Sequence, residues 1–210
     1  MSGIEIDGSP SCYDNLEPYL KSLKGVSGVT CEVGVRRGGG THFIIKTLLE
    51  NDDKRPHICI DPYGTILYND IAGTHRTDYT NQMRNETMSL IFKYAFENDV
   101  NLLFFNMEDS EFYKRFEDGV PIYEIDKTIQ NEFAFVHIDG QHDLESVKLA
   151  ADYFINKIPS GGLIAFDNTD HYEHSVIDEL MISAGFEFLE NIQPCSRIVY
   201  RKNENTIHIK

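Results

Sequence analysis

A short apolar run that stops at an acid, a glycine or an abrupt change of pattern recurs along this chain, at Gly28–Val33, His57–Asp61, Val100–Phe105, Phe133–Asp139 and Gly162–Asp167. Runs this short, rich in β-branched and aromatic residues, read as strands. Between them lie stretches with apolar residues at helical spacing: Phe43–Leu49, Tyr79–Glu97, Ser110–Phe116, 143–157 and Ser175–Ala184, with a further helix at Tyr13–Leu23 ahead of the first strand. Strands that alternate with helices build a parallel sheet, because each return to the same edge needs a crossover and the crossover helices cover both faces. Two closing strands, Phe186–Ile192 and Ser196–Arg201, meet at a Gln193-Pro194 turn and predict an antiparallel hairpin. The expected fold class is therefore α/β: a doubly wound, mostly parallel seven-stranded sheet with helices on both faces and a C-terminal antiparallel hairpin. Only Gly119–Asn131 shows no clear pattern.

Length and charge narrow what such a fold can be for. A chain of 210 residues suits one domain over 1–210, since two cores would be cramped. The formal charge of −15 repels phosphate backbones and anionic membranes, so neither nucleic acid nor membrane is an expected partner. Cys12, Cys31, Cys59 and Cys195 stand singly, without C-x-x-C spacing, which predicts reduced thiols in a cytoplasmic protein. The start, Met1-Ser-Gly-Ile-Glu-Ile-Asp-Gly, has no basic or apolar leader character.

Chemistry concentrates where strands end. The first strand runs into Glu32-Val-Gly34-Val-Arg-Arg-Gly38-Gly39-Gly40-Thr41, a glycine turn that opens a helix. Glycine there permits positive φ and lets a ligand approach the backbone. The spacing is not G-x-G-x-x-G, yet an acid two residues before the first glycine favours a nucleoside ligand. Asp61 closes the second strand, where a carboxylate can accept hydrogen bonds from ribose hydroxyls; a solvated strand-end acid is the plainer alternative.

With Glu32-x-Gly34-x-x-x-Gly38, Ile60-Asp61, Val136-His-Ile-Asp139-Gly-x-His142 and Gly161-Gly162-Leu-Ile-Ala-Phe-Asp167-Asn168 in place, the chain resembles the class I S-adenosylmethionine-dependent methyltransferases over about Gly28 to Arg201. The similarity is to the branch of small-molecule O-methyltransferases, whose fold is Rossmann-like. It implies that Glu32, Gly34, Gly38, Asp61, Asp109, Ser110 and Asp139 bind the cofactor. It also implies a divalent metal, Mg²⁺, Ca²⁺ or Mn²⁺, on Asp139, Asp167 and Asn168, as in the catechol O-methyltransferase pattern. Two carboxylates and an amide oxygen are a hard-oxygen set suited to such ions.

Where that pattern has lysine, this sequence has His142, whose ordinary pKa suits removal of a hydroxyl proton near neutrality. His142 is the candidate catalytic base, with helix capping as the alternative. His137, His171 and His174 are expected to be structural, although His171 or His174 could join the metal. The long segment Pro62–Arg84, with Tyr63, Tyr68, His75, Arg76, Tyr79 and Arg84, reads as a lid or recognition insertion over the acceptor, or else as homo-oligomer contact or plain surface. Arg36 and Arg37 stand in the turn, ready for an anionic group or for solvent. The expected activity is methyl transfer from S-adenosylmethionine to a small-molecule hydroxyl with metal assistance. A metal-free methyltransferase and a non-catalytic nucleoside-binding module are the alternatives.

Overall fold

Alternating burial on two faces makes the apolar runs the middle of one sheet. The computed structural model describes residues 13–70, 72–76 and 79–204, without the side chains of residues 68–70. Strands β1 (Val29–Val33), β2 (His57–Ile60), β5 (Leu102–Phe105), β8 (Phe133–Ile138), β9 (Leu163–Phe166), β10 (Phe186–Ile192) and β11 (Arg197–Lys202) form a seven-stranded sheet in the order β10-β11-β9-β8-β1-β2-β5. All pairings are parallel except those of β11, which runs antiparallel to both β9 and β10.

One face packs Cys31, Val33, Ile58, Val136, Ile138, Ile164 and Phe166 against the helices Asp109–Arg115, Leu144–Phe154 and Ser175–Ser183. The other covers Phe135, Leu163, Ala165 and Val199 with Glu17–Lys21 and Gly39–Glu50, while Asn81–Glu97 packs over Cys59 and Leu102. The period of two along each strand is what sends neighbouring residues to opposite layers. Helix ends follow local chemistry: the Thr80 and Asp143 side chains accept from the Met83 and Ser146 N–H groups. After Ser175–Ser183, Gly185 stops the helix at φ 83°.

Two short hairpins lie outside the main sheet. Leu67–Asp70 (β3) pairs with Gly73–Arg76 (β4) inside the expected insertion, and Val120–Tyr123 (β6) pairs with Lys127–Gln130 (β7) in the segment that showed no pattern. The second escaped sequence reading because its strand β7 alternates hardly at all and is nearly all exposed.

Lys202, at the end of β11, is buried among apolar residues, and its ammonium donates to the carbonyls of Ala184 (2.7 Å) and Ile155 (3.4 Å). Both carbonyls terminate helices, so one cation satisfies the negative ends of two dipoles. Cys31 and Cys59 are free and buried. Cys195, by contrast, is disulfide-bonded, which corrects the expectation of a wholly reduced chain; spacing along a sequence does not reveal which residues folding brings together. Cys12 lies outside the described residues. Among the described residues no helix is long and apolar enough to cross a membrane.

Candidate active site

Beyond the carboxyl ends of β1, β2, β8 and β9 the loops enclose a pocket of about 710 Å³, within the size range of small-molecule sites. One wall is the turn after β1, Gly34 to Arg37 with Gly39, and the opposite wall is Asp139–His142 with Asp167, Asn168, Asp170 and His171. Tyr13, Ile66, Tyr79 and the β10–β11 turn, Pro194 to Arg197, close it.

The turn is held by Asp61. Its Oδ2 accepts the N–H groups of Val35 (2.8 Å) and Arg36 (2.9 Å), and its Oδ1 accepts that of Tyr63 (2.8 Å). Burial pushes the Asp61 carboxyl up, and these three N–H donors pull it back. Arg36 is held at φ 48°, a conformation costly for a side-chain-bearing residue, with its carbonyl accepting from the hydroxyls of Tyr63 (2.7 Å) and Thr87 (3.1 Å). Asp61 thus faces the pocket while stapling the two strand-end turns together.

Gly34 also has a packing role. It sits at φ 87°, and a Cβ there would lie 2.0 Å from the Asp139 carbonyl oxygen, so its bareness lets the β1 and β8 ends approach each other. Bringing those ends together is what sets the two walls face to face.

Beneath the floor runs a buried chain of charges. Glu32 is 1% exposed; its Oε2 accepts from the Thr41 hydroxyl (2.5 Å) and its Oε1 meets His137 Nδ1 at 3.0 Å. His137 Nε2 lies 3.2 Å from Asp167 Oδ1. Arg197, fully buried, grips Asp167 with a two-pronged fork: Nε donates to Oδ1, and Nη2 to Oδ2 at 2.6 Å. The Arg197 guanidinium also lies over the Tyr13 ring, 5.2 Å from its centre.

Burial alone would lower His137, but Asp167 and Glu32 on either side raise it to about 10. Asp167 is lowered despite its burial, through His137 and Arg197. Asp139 moves the other way, raised by burial and by the charge of Asp167. Environment therefore separates the two carboxyls of the floor.

Of the residues singled out from sequence, Gly34, Asp61, Asp109, Asp139, His142, Asp167 and Asn168 line the pocket. Glu32, Gly38 and Ser110 do not. Glu32 turns inward because its strand neighbours Cys31 and Val33 take the other face, which leaves its carboxylate facing Thr41 and His137. Gly38 lies at φ 80° as the N-cap of the helix Gly39–Glu50, and the Ser110 N–H is taken by the Asp109 carboxylate (2.7 Å). Asp109 itself is raised by burial, against that N–H.

His142 stands on the wall with its ring edge-to-face with His171, centroids 5.6 Å apart. His174 is elsewhere: Nε2 meets the Tyr200 hydroxyl (2.8 Å), which also donates to Asp178, and Nδ1 meets that of Tyr172 (3.2 Å). From the insertion, Ile66 and Tyr79 reach the pocket, and the Gly64 N–H bonds the Tyr79 carbonyl (2.6 Å). Arg84 instead donates to Asn106 Oδ1 (3.1 Å), whose amide holds the carbonyls of Asp61 (3.0 Å) and Pro62 (2.7 Å). It anchors the root of the insertion. The side chain of Tyr68 lies outside the described residues.

The structure draws the expected metal residues to one wall of the pocket. His137, Asp139 and Asp167 each offer a ligand atom within 4.8 Å of the others, and Asn168 lines the same wall. Asp167 also meets Arg197, whose Nε donates to Oδ1 and whose Nη2 donates to Oδ2. Sequence reading missed Arg197 and Tyr13. The available signal was an arginine opening an otherwise apolar strand, Ile198-Val-Tyr, which called for a buried acidic partner.

Residues 31–169 match the family described as a methyltransferase domain, a span that contains the glycine turn, Asp61, Asp139 and Asp167. The chain belongs to this methyltransferase family. The fold of this methyltransferase is that of solved methyltransferases. CalS11, a calicheamicin methyltransferase, is similar at TM-score 0.69 and 14% identity, over 91% of this chain and 78% of that one. The O-methyltransferase NovP is similar at 0.59 and 16%, over 91% and 79%. An O-methyltransferase from Bacillus cereus in complex with SAH is similar at 0.56 and 14%, over 95% and 84%. No curated protein matches the methyltransferase by sequence.

Proposed function

We propose that this methyltransferase moves the methyl group of S-adenosylmethionine to a hydroxyl oxygen of a small molecule. The observation that carries the reading is the juxtaposition, across one pocket, of the stapled glycine turn with a wall of Asp139 and His142. S-adenosylmethionine supplies a methyl carbon already activated on a sulfonium. The chain has to hold that carbon and the acceptor oxygen in line, a positioning effect worth several kcal/mol.

Gly34 to Arg37 and Asp61 would take the cofactor, and Asp109 the adenine edge. The acceptor would lie between that wall and Ile66, Tyr79 and His142. As the new O–CH₃ bond forms, the C–S electron pair stays on sulfur, leaving S-adenosylhomocysteine, and the hydroxyl proton passes to His142. No step is assigned to a divalent ion, because Arg197 already forks onto Asp167.

Isothermal titration of S-adenosylhomocysteine, followed by a methyl-donor consumption assay over a library of phenols, sugars and hydroxy acids, tests the reading. Binding and turnover of at least one hydroxyl acceptor are expected. Failure to bind S-adenosylhomocysteine overturns the cofactor assignment, and binding without turnover of any acceptor favours the non-catalytic module.

A further inference from the structure

We propose that the Arg197 guanidinium is the built-in cation of this site, taking at Asp167 the place that a divalent ion holds in the metal-dependent pattern the sequence resembles. The argument is steric and electrostatic. Both prongs of the fork end on Asp167, Nη2 at 2.6 Å from Oδ2, and the whole side chain is buried with no water-facing alternative. A hard divalent ion sits about 2.0–2.6 Å from a carboxylate oxygen. Placed on the remaining lone pair of Oδ2 it could stand no farther than about 5 Å from Nη2, cation against cation in a dehydrated floor. Oδ1 offers no better seat, since Arg197 Nε donates to it and the His137 ring nitrogen lies 3.2 Å away.

The fork also does what a metal would do for geometry. A guanidinium fixes the plane of a carboxylate through two parallel bonds, which a point charge such as an ammonium cannot. Arg197 lies on the first residue of β11, whose pairing with β9 places Ile198 opposite Phe166, one residue short of Asp167. Its other face meets the Tyr13 ring, so one side chain orients both Asp167 and an aromatic member of the pocket wall. Arg197 is accordingly a positioning residue that acts through Asp167, and the site holds its carboxylates in place without a metal.

The deciding experiment uses Mn²⁺ alone as the probe, by calorimetry on the whole chain with S-adenosylhomocysteine present and absent, so the ion result does not depend on the proposed reaction. The parent is expected to bind Mn²⁺ no tighter than roughly millimolar, the range of weak divalent sites. Arg197→Met should bind it at least tenfold tighter by freeing Asp167, Arg197→Met with Asp167→Asn should lose that gain, and Arg197→Lys should stay near the parent. S-adenosylhomocysteine titration and thermal unfolding report whether each variant is folded; should Arg197→Met fail to fold, the parent and Arg197→Lys titrations decide. Micromolar Mn²⁺ binding by the parent, or an Arg197→Met variant that is folded and binds Mn²⁺ no better, overturns the proposal. If the parent does not bind S-adenosylhomocysteine, it is the functional reading that fails, whatever Mn²⁺ does.

Discussion

Replacing Asp61 separates a staple from a ligand residue. The carboxylate accepts three backbone N–H bonds at 2.8–2.9 Å and is nearly fully buried, so Asp61→Ala leaves three donors without their acceptor. Hydrogen bonds to a charged group contribute about 1.5–3 kcal/mol each, which would sum to more than ~4 kcal/mol. Two effects reduce that figure. The carboxylate's own dehydration already opposes it, as its raised pKa shows, and Arg36 is exposed enough for water to reach its N–H. A net loss of about 3 kcal/mol is expected for Asp61→Ala, and roughly half of it for Asp61→Asn, whose single oxygen serves one turn but not both. Urea unfolding followed by far-UV circular dichroism would show this as a midpoint lower by ~1 M or more, given slopes of about 2–3 kcal/mol per molar. Titration with S-adenosylhomocysteine in the same buffer completes the measurement. Should Asp61→Ala unfold at the parent midpoint while losing cofactor affinity tenfold, the carboxylate's partners are on the ligand and the staple argument is wrong.

His142→Gln should lower turnover by about 10²–10⁴-fold with little change in S-adenosylhomocysteine affinity; a parent-like pH–rate profile in that variant would return His142 to helix support. Gly40→Ala would put a Cβ 1.9 Å from Glu32 Oε1, so it should cost about 1–3 kcal/mol in chemical unfolding, and an unchanged midpoint would show that Glu32 is not held as described. His57 is buried with Nδ1 on Thr30 and is lowered to about 3 by burial, so the unfolded chain takes up a proton near pH 6.5 that the folded one refuses. Stability should therefore fall as pH drops from about 6.5 toward 3, by at most ~1.4 kcal/mol per unit from this group, and His57→Leu should flatten that slope; equal slopes in urea unfolding would refute it.

Local signals were enough for the strands, helices and glycine turn, because each is written in neighbouring residues: a period of two, a cap, a positive φ. Strand alternation also contained the fate of Glu32, since Cys31 and Val33 on one face leave Glu32 to the other, but motif spacing pointed to the cofactor instead. What the chain does not display is pairing across distance. Glu32 meets His137 across 105 positions and Asp167 meets Arg197 across 30, and nothing local marks either. Asp167 reads as a metal ligand from its place at the end of β9; the tertiary fold adds the guanidinium that forks onto it. The hairpin β6–β7 was illegible for the opposite reason, since its exposed strand obeys no burial pattern.

The placement of β11 has a consequence for how the molecule comes into being. This strand is made after β9 and β10 yet slots between them, so the sheet must wait with a gap until Arg197–Lys202 leaves the ribosome. Until then Asp167 has no guanidinium and the helices ending near Ile155 and Ala184 have no Lys202 ammonium over their carbonyls. A nascent chain halted before Arg197 would hold the glycine turn and every parallel strand, while Asp167 lacks its guanidinium. Assembly of the site is thus tied to the emergence of β11, and a chain arrested before Arg197 should be more open to protease around β9 than one that includes it.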